Sequence, residues 1–171
     1  MDREDGALTM AAWKMPPKAK IFEALSAVAD QRVTLTGPTS AQVVSSSRDK
    51  TYDVTWSADM RHITSNDNAS SWQGYIGYPI IAVLLEKNTI PFSPHIAGQL
   101  AGIPWKLVNE QFKRDYDQAV NHVLDQIEAK GGNRTEIIQE VERIYQALVT
   151  LALERTQQRL PRPESTTKKP R

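Results

Sequence analysis

The sequence predicts an α+β protein, with an N-terminal helix and a small antiparallel β-meander, a buried helix, and a C-terminal antiparallel helical hairpin. Three observations carry that prediction. RVTLTG, AQVVSSS, TYDVTWS and RHITS are four short runs rich in Val, Thr, Ile and aromatic residues, separated by turn formers. YPIIAVLLEK has a tolerated first-turn proline and then an unbroken apolar run, as a helix buried on most sides does. From Trp105 to Ile127, and again from Ile137 to Leu151, apolar residues recur at three- and four-residue steps on either side of Gly131-Gly132.

In chain order, MPPKAKIFEAL from Met15 reads as a natural start, so residues 1–16 are expected to form a flexible extension. Ile21, Leu25 and Val28, with Ala24 beside them, mark one face of a short helix ending near Asp30. Turns at Gly37-Pro38, Arg48-Asp49-Lys50 and Ala58-Asp59 separate the strand runs. In the third run Tyr52, Val54 and Trp56 alternate with Asp53 and Thr55, which turns one face inward, with the first helix as its natural cover. Pro91, Pro94 and Pro104 restrict the next segment to a short helix from Pro94 to Ala101. Asn133, with Glu136 three residues on, resembles a capping box that opens the last helix. The expected organisation is an α+β lobe over 17–90, a helical lobe over 91–155 packed on it, and a disordered basic tail over 156–171.

A chain of 171 residues, 40% of them hydrophobic, can bury one full-sized core. No window approaches a membrane-spanning run, and the acidic start (Asp2, Glu4, Asp5) lacks the order of a secretory signal, which places the protein in the cytoplasm with no membrane partner. Zero cysteines exclude disulfides, thiolate catalysis and Cys-ligated zinc. The formal net charge of +1 hides an asymmetry: Arg155, Arg159, Arg162, Lys168, Lys169 and Arg171 stand against Glu164 alone, so the tail is basic and the body acidic.

The stretch ITSNDNASSWQGYIGYP, residues 63–79, concentrates the candidate site. Asn66, Asp67, Asn68, Ser70 and Ser71 can bond the loop's own backbone, with Trp72, Tyr75 and Tyr78 as an apolar plug. Alternatively, Asn66, Asp67, Asn68, Trp72, Gln73 and Tyr75 face a partner, since aromatics interleaved with amides stack on bases or sugars and read polar edges. A second, basic set comprises Lys106, Lys113 and Arg114 on the following helix, where Lys106 to Glu110 and Lys113 to Asp117 are spaced as surface ion pairs, and Arg162, Lys168 and Lys169 on the tail. No two of His62, His95 and His122 have metal-ligand spacing, and no Gly-rich phosphate loop is present, so neither metal nor cofactor is expected.

Residues 51–85 read as strand, hairpin turn, strand, polar loop, then a helix opening on IIAVLL, and this order resembles the SWIM zinc-finger family. In that family the ligand pairs would fall at Ile63 and Ser65 and at Gly77 and Pro79, so the resemblance is to a degenerate domain without metal ligands. It implies contact with DNA, RNA or protein. SNDNAS, WQGY and GYPIIAVL are also similar to the core of small archaeal proteins with no assigned function.

These readings combine into a non-catalytic binding module that docks on nucleic acid or on a nucleic-acid-handling protein complex. One alternative is an oligomerising scaffold using the helical hairpin, with Leu153 and Leu160 as extra apolar contacts. The other is an enzyme at the 65–78 loop, which requires Asp67 and a second titrating group in one pocket.

Overall fold

A computed structural model describes residues 12–156 and 160–165. Ala19–Ala29 form α1, and β1 (Val33–Gly37), β2 (Ser40–Val44), β3 (Lys50–Trp56) and β4 (Ile63–Ser65) follow as an antiparallel meander in sequence order. Ala41 stands opposite Val54, which stands opposite Ser65, and Trp56 opposite Ile63. With a side-chain period of two, this register brings Ala41, Val43, Val54, Trp56 and Ile63 onto one buried face. The alternation read in the third run therefore holds, with Tyr52 half-buried at the end of the same face.

The cover of that face is α2 (Tyr78–Glu86), which touches all four strands of the meander, and not α1 as the sequence suggested. The physical reason is the character of the two helices. Every residue from Pro79 to Leu85 is buried, so α2 can lie between two layers, whereas the more amphipathic α1 packs on its far side. There α1 also meets α3 (Pro94–Gln99), α5 (Tyr116–Ala129) and α6 (Arg134–Leu151). So crowded is α1 that Ile21 through Ala27 are all buried, Glu23 and Ser26 included. Ser26 Oγ donates to the Leu100 carbonyl at 2.6 Å and accepts from Trp105 Nε1 at 2.8 Å, which satisfies two polar groups inside the core. One hydrophobic cluster runs from Trp13 through α2 to Val123 and Ile144, so the two expected lobes share a core.

The run from Trp105 to Ile127 is broken into α4 (Trp105–Gln111) and α5. Lys113 and Arg114 adopt left-handed φ angles of 53° and 66°, and Asp115 then caps α5 by accepting the Gln118 N–H at 3.1 Å. A good N-cap residue competes with helix continuation even without Gly or Pro. The break separates Lys113 from Asp117, so that expected ion pair does not share a helix, and Lys106 pairs with Asp49 at 2.9 Å instead of with Glu110. Beyond α5, Gly131 turns with φ 93° and Asn133 accepts the Glu136 N–H at 3.1 Å, which starts α6 and closes the antiparallel hairpin.

Both chain ends are more engaged than expected. Trp13, placed by the sequence in a flexible extension, is 7% exposed, and its indole N–H donates to the Ile63 carbonyl at 2.9 Å. At the other end, Glu164–Ser165 form β5 on the edge of β3, beside Lys50 and Thr51, so part of the tail is paired. Lys168 and Lys169 lie outside the described residues. Leu153 is buried in the core, so it is not a free apolar contact, and Leu160 is half-buried. Among the described residues no helix is long and apolar enough to cross a membrane.

Candidate functional site

Between β4 and α2 the chain makes a π-helical turn, Ala69–Gln73, held by its own polar side chains. Asp67 Oδ2 accepts the Ser70 N–H at 3.1 Å, Ser70 Oγ accepts the Gly77 N–H at 3.2 Å, and Ser71 Oγ donates to the Ser65 carbonyl at 3.4 Å. Ser65 and Gly77, two positions matched to SWIM zinc ligands, thus join this clasp through their backbones. Gly77 is there for space: a Cβ would stand 2.1 Å from Asp67 Oδ2.

The predicted loop residues separate into three groups. Asn66 does not face a partner; it is buried, its Oδ1 accepts the Asp53 N–H at 2.9 Å, and its Nδ2 donates to the Pro161 carbonyl at 2.8 Å. Its amide fills the gap between β4 and β5 on the β3 edge, which an unpaired strand end requires. Trp72 is 76% exposed, so it does not plug the hairpin; Tyr78 does, edge-on to Tyr52 at 6.1 Å. Asp67, Asn68, Gln73 and Tyr75 belong together, because all four line one cleft.

That cleft holds about 340 Å³ and lies where the Asp67 loop, α1, the β2–β3 turn and α4 meet. Lys20 and Glu23 enter from α1, Tyr52 from β3, and Asn109 and Arg114 from the α4 side. Glu23 Oε2 accepts from Asn109 Nδ2 at 3.3 Å and lies 3.4 Å from Lys20 Nζ, which itself sits 4.6 Å from the centre of the Tyr116 ring. Lys106 lines the mouth, but its ammonium is held by Asp49, which also accepts from Ser45 at 2.9 Å and from Ser47. Lys113 is exposed but is not part of the lining, and Arg162 is exposed on the tail. The proposed basic set is therefore dispersed, with Lys106 and Arg114 alone at the cleft. The histidines stay apart: His62 contacts Glu154 at 3.0 Å, His122 meets Phe112 ring to ring, and His95 is exposed on α3.

Asp67 Oδ1 is the distinctive atom. Asp67 is 5% exposed, and its Oδ1, like Arg32 Nε on the same lining, is buried without a hydrogen-bond partner among the described residues. A buried acceptor left unmade costs about 1–3 kcal/mol, more if charged.

The cleft also shifts the groups around it. Burial raises the Tyr52 phenol to about 12, with Asp67 adding to the effect. Burial likewise raises Tyr75, and raises Tyr78 well above the tyrosine range. For Lys20, burial works to lower the ammonium, but Glu23, then Tyr116 and Tyr75, more than offset it and hold it above its ordinary value. All four groups bind their protons more tightly in the fold than in the unfolded chain. Their contribution to stability is fully present below the unfolded values, near pH 10, and is lost as pH rises through the folded ones. Urea midpoints should therefore fall from about pH 10 to 12. Tyr52→Phe should make that fall shallower, and an unchanged slope would contradict the placement of Tyr52.

Lys20, Glu23, Tyr52, Tyr116 and Asn109 were not among the candidate site residues read from the sequence. The available signal was AKIFEALSAVA itself, whose small residues Ala24, Ser26 and Ala27 permit close packing around the whole helix and carry Glu23 inside with them.

Fold and cleft together define an α+β protein in which a buried carboxylate faces a polar, tyrosine-walled recess. The chain belongs to the family described as uncharacterised conserved protein UCP014422, whose model matches residues 13–154 and so takes in the whole cleft. No curated protein and no solved structure matches it.

Proposed function

We propose that the protein is a non-catalytic binding module whose cleft takes up a small polar ligand. The unpartnered Asp67 Oδ1 carries this reading, since the loop is built to hold that side chain and leaves one oxygen unused. A recess of this size, with aromatic walls and a few convergent polar groups, suits a metabolite-sized molecule. The cleft does bring Asp67 together with a second titrating group, Glu23, as the enzyme alternative requires, but Glu23 is engaged by Lys20 and Asn109 and the shifted tyrosines stay protonated at neutral pH, which favours binding over acid–base chemistry.

Thermal unfolding of the wild type and Tyr75→Ala across a library of small polar metabolites tests the reading. A ligand present at 100 times its Kd adds about 2.7 kcal/mol of stability. Selected compounds should raise the wild-type midpoint and do so much less in Tyr75→Ala. A library with no effect, or equal shifts in both proteins, contradicts the proposal.

A second reading follows from Trp72, which is 76% exposed on the same turn as Gln73, a residue of the cleft lining. An exposed indole beside an amide suits stacking on a nucleic-acid base, and the SWIM resemblance implies contact with DNA, RNA or protein. Binding to single-stranded RNA or DNA that weakens with salt and is lost in Trp72→Ala would support it.

A further inference from the structure

We propose that the ligand of the cleft carries a primary or secondary ammonium group, held on the free Oδ1 of Asp67 among the tyrosines. This inference rests on the cleft being a ligand site, and it adds the chemical class of the ligand.

The charges inside the cleft point to a cation. Lys20 is matched by Glu23 and Lys106 by Asp49, while Arg32 donates from Nη1 to the Val44 carbonyl at 2.8 Å and its Nε, 3.6 Å from Asp30, is buried without a hydrogen bond but keeps that ionic partner. Among the described residues Asp67 has no such basic partner, although it is as deeply buried as Glu23. A buried carboxylate without a partner is costly, and a ligand ammonium supplies both the charge and the donor that Oδ1 lacks.

Orientation supports the same conclusion. Ser70 holds Oδ2 and the missing side chain of Gly77 gives the carboxylate its place, so Oδ1, buried on a residue that lines the cleft, is the carboxylate oxygen without a partner among the described residues. The surroundings already accommodate one primary ammonium, that of Lys20, over the Tyr116 ring. Lys20 keeps its proton despite its burial because Glu23 lies 3.4 Å away, so a buried carboxylate in this cleft already stabilises one ammonium. An anionic ligand would meet Asp67 and Glu23 inside, where the two cations, Lys20 and Arg32, already stand beside carboxylates. Lys50 and Arg114, which form no ion pair among the described residues, are exposed at the mouth, where an acidic group on the far end of an amine would find them.

Calorimetric titration of the full chain tests this with tyramine, phenethylamine, putrescine and ethanolamine, each beside its neutral counterpart: tyrosol, phenylethanol, butane-1,4-diol and ethylene glycol. At least one amine should bind at least tenfold more tightly than its alcohol. Asp67→Asn, which keeps an acceptor for Ser70, should remove that preference. The amine-to-alcohol ratio is read on the wild type alone, so it stands even if the variant folds poorly. Equal binding of amine and alcohol overturns the ammonium assignment and leaves the cleft as a ligand site. Absence of binding by every amine overturns the assignment too, and the metabolite library then decides the cleft reading separately.

Discussion

Trp13→Ala is expected to lower the free energy of unfolding by about 3–5 kcal/mol, the range for truncating a buried aromatic side chain. The indole lies in the main cluster, and its loss opens a cavity beside Ile63 and Leu153. More than packing is removed. Trp13 Nε1 donates to the Ile63 carbonyl at 2.9 Å, the Trp13 backbone N–H donates to the Leu153 carbonyl at 3.1 Å, and the Arg155 guanidinium lies 4.9 Å from the ring centre. The residue therefore ties β4 to the end of α6. Lys14 continues the tie, with its N–H donating to the Gly74 carbonyl and its carbonyl accepting from Ile76, which links it to the loop before α2. A chain begun at Met15 lacks these contacts and should show a similar deficit. Urea unfolding of the two variants measures it, and wild-type midpoints in both would contradict the placement of Trp13 in the core.

Gly77→Ala is expected to cost about 1–3 kcal/mol, the usual range for overpacking, and to disable the cleft at the same time. The backbone at Gly77, with φ −79° and ψ 166°, suits any residue, so conformational strain is not the cause. The cause is Asp67, whose Oδ2 and Cγ lie 2.1 and 2.8 Å from the position of the added carbon. For the methyl group to fit, the carboxylate must swing away, which breaks its bond from Ser70 and moves Oδ1. The double variant Gly77→Ala, Asp67→Ala should recover part of the lost stability, because the clash is removed with the carboxylate. Additive losses would show that the methyl group disturbs something else.

The contrast between these two residues shows what the sequence made legible. Local pattern was enough for α1, the meander, the all-apolar α2 and the Asn133 cap, since each is specified by periodicity or by a residue with a single conformational use. Pattern did not reveal that α2 and not α1 covers the sheet, because two short apolar helices compete for one face and packing decides. The break at Lys113 and Arg114 was hidden for lack of Gly or Pro, and Trp13 for lack of an element around it.

At the site, Asp67 stood out within SNDNAS, but its neighbours did not. Glu23, Tyr52 and Asn109 come from three separate elements, and only the tertiary fold brings them to Asp67. Asn66 looked equivalent to Asn68 in the sequence. The structure separates them by placing Asn66 on the open edge of β3, where backbone groups claim both ends of its amide.

The central claim is that the cleft beside Asp67 is the place where this protein binds its ligand. Nuclear magnetic resonance mapping on the full chain tests it most directly, by following backbone amides and the side-chain NH2 groups of Asn68, Gln73 and Asn109 during titration with compounds that stabilise the protein. The account predicts that the perturbed signals cluster at these three residues, Tyr75 and the α1 segment around Glu23, and that Asp67→Asn diminishes them. Perturbations gathered on the outer face of α6, or scattered over the surface with the cleft unchanged, would contradict it.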